Sequence, residues 1–141
     1  MVKKYFSEVR VLYADTDAMG IVYYGNYAKW FELGRCEFLR QAGHPYSELE
    51  REGIWLPVIE IVCNYKHPAV YDDVLEIAAW LGELNGASLA IEYEIRKKET
   101  GALVVVGRTR HAVTDHSLKP VKIRRDYPEL YAFMRDCLKD D

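Results

Sequence analysis

The sequence predicts an α+β domain, an antiparallel sheet of about five strands with one long helix lying across a face of it. Two observations predict it. Residues 24–42 hold a helical period, the longest such stretch in the chain. From residue 55 onward the period drops to two and turn residues recur, so the strands follow one another as hairpins. The resulting order is β-α-β-β-β-β with a closing helix.

Residues Tyr5–Tyr13 alternate loosely and read as the first strand. Asp15, Asp17 and Gly20 then break regular structure, so Ala14–Tyr23 reads as a loop. The helix expected over Tyr24–Ala42 has Gly43 as its C-cap and Pro45 just beyond. On a helical wheel Tyr24, Tyr27, Ala28, Phe31, Gly34, Phe38, Leu39 and Ala42 share the core face, opposite Lys29, Glu37 and Arg40. Trp30 and Leu33 fall outside that arc. At 1.5 Å per residue this helix is about 30 Å long. A short helical turn is expected around Ser47–Glu52, ended by Gly53. Trp55–Lys66 alternates, with Trp55, Ile59, Ile61, Cys63 and Tyr65 on the apolar side. Val74–Leu84 is apolar on both parities and reads as buried on both faces. Asn85-Gly86 is a hairpin turn. Leu89, Ile91, Tyr93 and Ile95 alternate with Glu92, Glu94 and Arg96 in the next strand. Thr100-Gly101 turns the chain into a last strand, Ala102–Thr114, and a helix over Tyr127–Leu138 closes it.

The 141 residues fit a single domain spanning 1–141, and no repeat or linker divides them. A net charge of -3 argues against a nucleic-acid binder. Three cysteines without CxxC spacing suggest neither a disulfide framework nor a zinc cluster. With no apolar signal core and no membrane-length apolar run, a soluble cytoplasmic protein is expected. The chain has no GxSxG, no Walker loop and no GxGxxG. Asp15-Thr16-Asp17 opens like a calcium loop, but Met19 and Asn26 occupy ligand positions, so no metal and no cofactor are expected.

What remains is the loop entering the long helix. Asp15 and Asp17 are ordinary turn residues by type. However, Ala18, Met19, Ile21, Val22, Tyr23 and Tyr24 surround Asp17 with little polar relief. A carboxylate that loses hydration beside such a segment is a stronger nucleophile. The same loop delivers the chain to a helix N-terminus, whose free N–H groups favour developing negative charge. Carboxylate and oxyanion donors at one point suit acyl transfer.

The string Tyr13-Ala14-Asp15-Thr16-Asp17-Ala18-Met19-Gly20-Ile21-Val22-Tyr23-Tyr24-Gly25-Asn26-Tyr27 resembles the signature of the hotdog-fold 4-hydroxybenzoyl-CoA thioesterase family. It resembles in particular the Tol–Pal-associated (YbgC-type) acyl-CoA thioesterases. Trp30-Phe31-Glu32, Arg35, Phe38-Leu39, Asp73-Val74-Leu75, Asp115 and Lys119-Pro120 continue the likeness, which covers about residues 7–130. The resemblance implies a sheet wrapped around the central helix and hydrolysis of an acyl-CoA thioester. It implies Asp17 as nucleophile or general base, and the Tyr24 N–H polarising the carbonyl. Tyr23, Gly25 and Tyr27 would line the substrate site. Many Tol–Pal members carry histidine where this chain has Tyr24, and the long helix has no histidine before His44. A single titrating carboxylate is therefore expected, with activity level across neutral pH.

Arg35 falls inside the apolar arc, and Glu32, three residues earlier, is its expected ion partner under the sheet or at a subunit contact. The alternative is that Glu32 faces the acyl pocket of a second subunit. Lys119, Lys122 and Arg124, with Arg125, form either a solvated basic run or a contact for the CoA phosphates. Family sites lie between subunits, and one subunit leaves a sheet edge open, so a homo-oligomer, dimer or tetramer, is expected. Trp30 and Leu33 suggest its second contact surface. The thioester carrier, CoA or acyl carrier protein, is left open, as is a non-catalytic or differently reactive hotdog protein that binds such thioesters.

Overall fold

The chain begins with β1 (Tyr5–Arg10) and a single 3-10 turn at Tyr13–Asp15, then enters α1 (Asn26–Gln41) and α2 (Tyr46–Arg51). Four strands follow as β2 (Val58–Tyr65), β3 (Val74–Leu84), β4 (Ser88–Lys97) and β5 (Leu103–Ala112). Two short helices end it, α3 (Ile123–Asp126) and α4 (Pro128–Cys137). This computed structural model describes residues 2–138. Met1 and residues 139–141, the ends of the expected 1–141 domain, lie outside the described residues. The strands form one antiparallel sheet in the order β1-β3-β4-β5-β2. The sheet wraps around α1, the α+β hotdog arrangement.

The helix sits close on the sheet because two glycines remove side chains from the contact. Phe31 stacks on Tyr93 of β4, ring centroids 4.4 Å apart. A Cβ on Gly107 of β5 would clash with the Phe31 ring edge at Cζ, and one on Gly34 would lie 2.7 Å from Ile77 Cγ2. Tyr5 of β1 stacks on Phe38 at 4.8 Å. Tyr27, Phe31, Gly34, Phe38 and Leu39 are buried, as their wheel positions predict.

Several expectations need correction. Trp30 is 2% exposed and belongs to the core, edge-on to Tyr27, so it offers no second contact surface. The wheel missed it because the wrapped sheet covers a wider arc of the helix than a flat one. Tyr24 and Ala28 lie exposed instead. The helix begins at Asn26 rather than Tyr24, since Tyr23 to Asn26 form a turn closed by the Asn26 N–H to Tyr23 O bond of 2.9 Å. Of β2, only Cys63 is even half-buried. Helix α1 lies over β1, β3 and β4 and reaches β5 through Phe31, so β2 projects beyond it.

Arg35 makes no ion pair with Glu32 among the described residues. It lies half-buried beside Tyr93 and His111. There a buried polar chain crosses the core: the His111 ring contacts Leu56 O at 2.9 Å through Nδ1 and Thr109 Oγ1 at 2.8 Å through Nε2. Thr109 in turn meets the Tyr93 hydroxyl at 2.7 Å. The Leu56 carbonyl can only accept, so Nδ1 carries the proton and the neutral ring satisfies the chain. Burial, with Arg35 nearby, pushes the His111 imidazole down from 6.5 to about 4.

That shift fixes a pH dependence of stability. The unfolded chain binds a proton at His111 below pH 6.5 and the folded chain only below about 4. This stabilisation is therefore fully present above pH 6.5 and is lost as pH falls to about 4, roughly 3 kcal/mol in all. Urea unfolding at pH 7, 5.5 and 4.5 should show that decline, and His111→Gln should flatten it. Equal slopes for the two proteins would assign the acid sensitivity elsewhere.

Candidate active site

The two aspartates of the loop do different work. Asp15 is buried and ties four segments together. Its Oδ2 accepts the Leu12 N–H at 2.9 Å and its Oδ1 the Lys29 ammonium at 3.0 Å. Its carbonyl accepts the Tyr23 N–H at 2.9 Å and the Asn26 amide at 2.7 Å. Burial would raise the Asp15 carboxyl, but the Leu12 and Lys29 donors outweigh it and hold the group below its usual value. It is a clamp between the 3-10 turn and the first turns of α1.

Asp17 sits at the base of a tight reversal. Thr16 bridges Val22 across it, the Asp17 N–H donates to Ile21 O, and the Gly20 N–H donates to Asp17 O, each bond 2.9 Å. Gly20 adopts φ 77°, the left-handed region that glycine enters freely. The Met19 N–H donates to Asp17 Oδ1 at 2.9 Å, an Asx turn, while Oδ2 accepts no hydrogen bond among the described residues. The apolar loop does not bury this carboxylate within one chain: Met19 is 76% and Tyr24 63% exposed. The desolvation expected of the loop is thus not supplied by this chain alone.

Asp17 lines an open cleft of about 360 Å³ with Tyr24, Tyr27 and Tyr65, whose apolar wall includes Ile21, Val22 and Pro68. Among the described residues neither the Tyr24 nor the Gly25 N–H has a protein acceptor. Both peptide planes are nevertheless set through their carbonyls. Tyr23 O accepts the Asn26 N–H, and Tyr24 O accepts the Tyr65 hydroxyl at 3.3 Å. A trans peptide directs its N–H opposite to its C=O, so Tyr65, with the Tyr27 N–H at 3.5 Å on the same carbonyl, sets the heading of the Gly25 N–H. Burial pushes the Tyr65 phenol up to about 12, which keeps it a donor. Burial raises Tyr27 as well. A Cβ at Gly25 would lie 2.7 Å from the Tyr23 ring, and the neighbouring Tyr24 phenol holds Tyr23 above its usual value.

The structure brings Asp17, Tyr23, Tyr24, Gly25 and Tyr27 to one place and separates the other candidates from them. Glu32 lines a different, small cavity of about 90 Å³ with Arg35, Cys36 and Tyr46. Lys122 and Arg124 line a third beside Gly86 and Ala87, at the β3–β4 hairpin, and Lys119 follows the turn capped by Asp115. Tyr65 pairs with Val105 and the hairpin residue Ser88 with Ala112, so the hairpin end of the sheet, where this basic run sits, lies about 23 Å along β5 from Tyr65. Sequence reading missed four cleft residues, Tyr65, Lys66, His67 and Pro68. They lie about fifty positions beyond Asp17 in the sequence, and the Tyr65 hydroxyl bond to Tyr24 O and the Val22 N–H bond to Ala69 O bring them back.

Proteins similar to this chain include several named as thioesterases. YneP of Bacillus subtilis, which carries the provisional name acyl-CoA thioesterase, is 35% identical over 123 residues, 86% of this chain and 88% of YneP. The acyl-CoA thioester hydrolase YbgC of Escherichia coli O6:H1 is 36% identical over 95 residues, 67% of this chain and 71% of that one. The DHNA-CoA thioesterase of Staphylococcus aureus superposes with a TM-score of 0.88 at 29% identity, over 94% of this chain and 89% of its own. No described helix is long and apolar enough to cross a membrane. The family model described as the thioesterase-like superfamily matches residues 11–132, a span that contains the whole cleft, and the chain belongs to that superfamily.

Proposed function

We propose that the chain hydrolyses acyl-CoA thioesters in the Asp17 cleft. The observation that carries this reading is that Asp17, with one carboxylate oxygen free of hydrogen bonds, lines one cleft with Tyr24, whose N–H and that of Gly25 have no protein acceptor among the described residues. Asp17 Oδ2 is the nucleophile or the base that activates water. The Tyr24 and Gly25 N–H groups receive the charge that develops on the thioester oxygen. Tyr24, Tyr27 and Tyr65 wall the acyl group, and Tyr23 borders it. Relatives with acyl-CoA thioesterase names support CoA as the carrier; acyl carrier protein is the alternative carrier. His67 places an imidazole in the cleft, which a hydratase also requires, so thiol release is the measurement that separates the two chemistries.

Thiol release from a panel of short, long and aromatic acyl-CoAs tests the activity. Asp17→Asn should keep the fold and lower kcat by about two to four decades. Asp15→Asn, which removes the Lys29 partner, should lower the melting temperature and affect kcat far less. Equal activity of the two variants would refute the assignment.

The oxyanion donors depend on main chain, so phenols should count by what they hold. Tyr24→Phe should leave kcat nearly unchanged. Tyr65→Phe, which leaves the Tyr24 carbonyl only the Tyr27 N–H at 3.5 Å, should lower kcat by about tenfold, a small part of what loss of a whole oxyanion donor costs. The reverse order would mean that the Tyr24 hydroxyl does the chemistry.

We infer a homo-oligomer, with β2 as the contact. Its outer edge is unpaired among the described residues, and Val58, Ile59, Ile61 and Val62 are 40–58% exposed on both of its faces. A second copy pairing there would cover the edge and complete the cleft at Tyr65. From such a copy the distant Lys119, Lys122 and Arg124 could meet CoA phosphates, and Glu32 an acyl group. Sedimentation at micromolar concentration should give a dimer or tetramer, and a stable, active monomer would sink the inference.

A further inference from the structure

We propose that His67 is the proton donor to the departing thiolate, resting on the reading of Asp17 as the acyl-transfer carboxylate. Of the four histidines, His111 is buried in the core, His44 lies against Phe133 and His116 against Trp55. His67 alone lines the cleft that holds Asp17.

The chain holds it there on both sides. The Lys66 and His67 N–H groups donate to Val104 O at 2.8 and 3.2 Å, fastening the segment to the edge of β5. Two residues on, Ala69 O accepts the Val22 N–H at 2.9 Å, and Val22 bridges Thr16, the neighbour of Asp17. Pro68 follows, which confines the His67 backbone to extended conformations. The His67 side chain is exposed toward the open cleft. The groups around it are Asp17 from the reversal, Tyr24 before α1, Tyr27 from α1, and Tyr65 and Lys66 from the end of β2. Asp73 lies beyond Tyr27.

The chemistry leaves a place for such a group. When Asp17 attacks the carbonyl, a mixed anhydride forms, the C–S bond breaks and CoA departs as a thiolate. An ionised Asp17 has no proton to give. The His67 imidazolium protonates the sulfur and becomes neutral. Water then attacks the acyl carbon of the anhydride and gives up its proton to solvent, the carboxylic acid and the Asp17 carboxylate are released, and His67 regains its proton from solvent. The cycle restores the imidazolium and consumes one water. Histidine is the side chain whose charge ordinarily changes near neutral pH, so this step replaces the level neutral profile expected of a lone carboxylate.

The test compares leaving groups on the full-length protein. Take an acyl-CoA that the wild type turns over and the S-(4-nitrophenyl) thioester of the same acid, whose thiolate leaves without protonation. His67→Gln should lower kcat on the CoA thioester about a hundredfold, remove the neutral-range limb from its pH profile, and leave the nitrophenyl thioester within threefold. A raised KM with unchanged kcat would make His67 a contact for the CoA chain and overturn the proposal, as would equal losses on both substrates. If the variant fails to fold, the wild type decides: its rate on the CoA thioester must fall through neutral pH relative to the nitrophenyl thioester, and parallel profiles refute the role. A wild type that releases no thiol from either substrate overturns the thioesterase reading itself, and with it this proposal.

Discussion

The contact of Phe31 with Gly107 and Tyr93 sets the distance between helix and sheet, and the rest of the structure depends on that distance. A stacked ring over a glycine gives α1 a fixed height, at which Gly34 can meet Ile77 and Phe38 can meet Tyr5. Overpacking either glycine would lift the helix, since a close-packed interior has no slack to absorb a methyl group. Once the helix is at that height, its first turn is level with the ends of β2 and β5. The Asp15 clamp then holds the entering loop against it, and the cleft is the space left between loop, helix and strand end.

Two aspartates two positions apart in this loop differ in how fully they are engaged. Asp15 has both carboxylate oxygens and its carbonyl engaged. Asp17 has one oxygen in a turn and one open. Their residue types are identical, so only the partners distinguish them, and the partners come from Leu12, Lys29 and Met19.

Local pattern carried most of the fold. The alternation of Leu89 to Ile95, the Asn85-Gly86 turn and the cap at Gly43 each report a preference of the chain within a few residues, and each was legible in the sequence. The short helix α3 was not, because four residues hold no period. Trp30 was misjudged because a helical wheel assumes a flat neighbour, whereas this sheet curves far enough to bury it; Arg35 lies on the face the wheel assigned, but its neighbours Tyr93 and His111 come from distant strands and replace Glu32. In the cleft, the loop motif gave Asp17, Tyr24 and Gly25. His67 and Tyr65 were not visible, since strand register decides their place and register is a relation between distant segments. The basic run was legible as charge, but its position along the sheet was not.

The Asx turn at Asp17 has a consequence for how the site tolerates change. With Oδ1 accepting the Met19 N–H, the turn favours one side-chain rotamer and one heading for the open oxygen. The turn works as a ruler with one setting. A glutamate would carry the same charge on a chain one methylene longer, too long to close that turn, and its carboxylate would sweep a range of directions. Charge at this position is therefore replaceable, but aim is not.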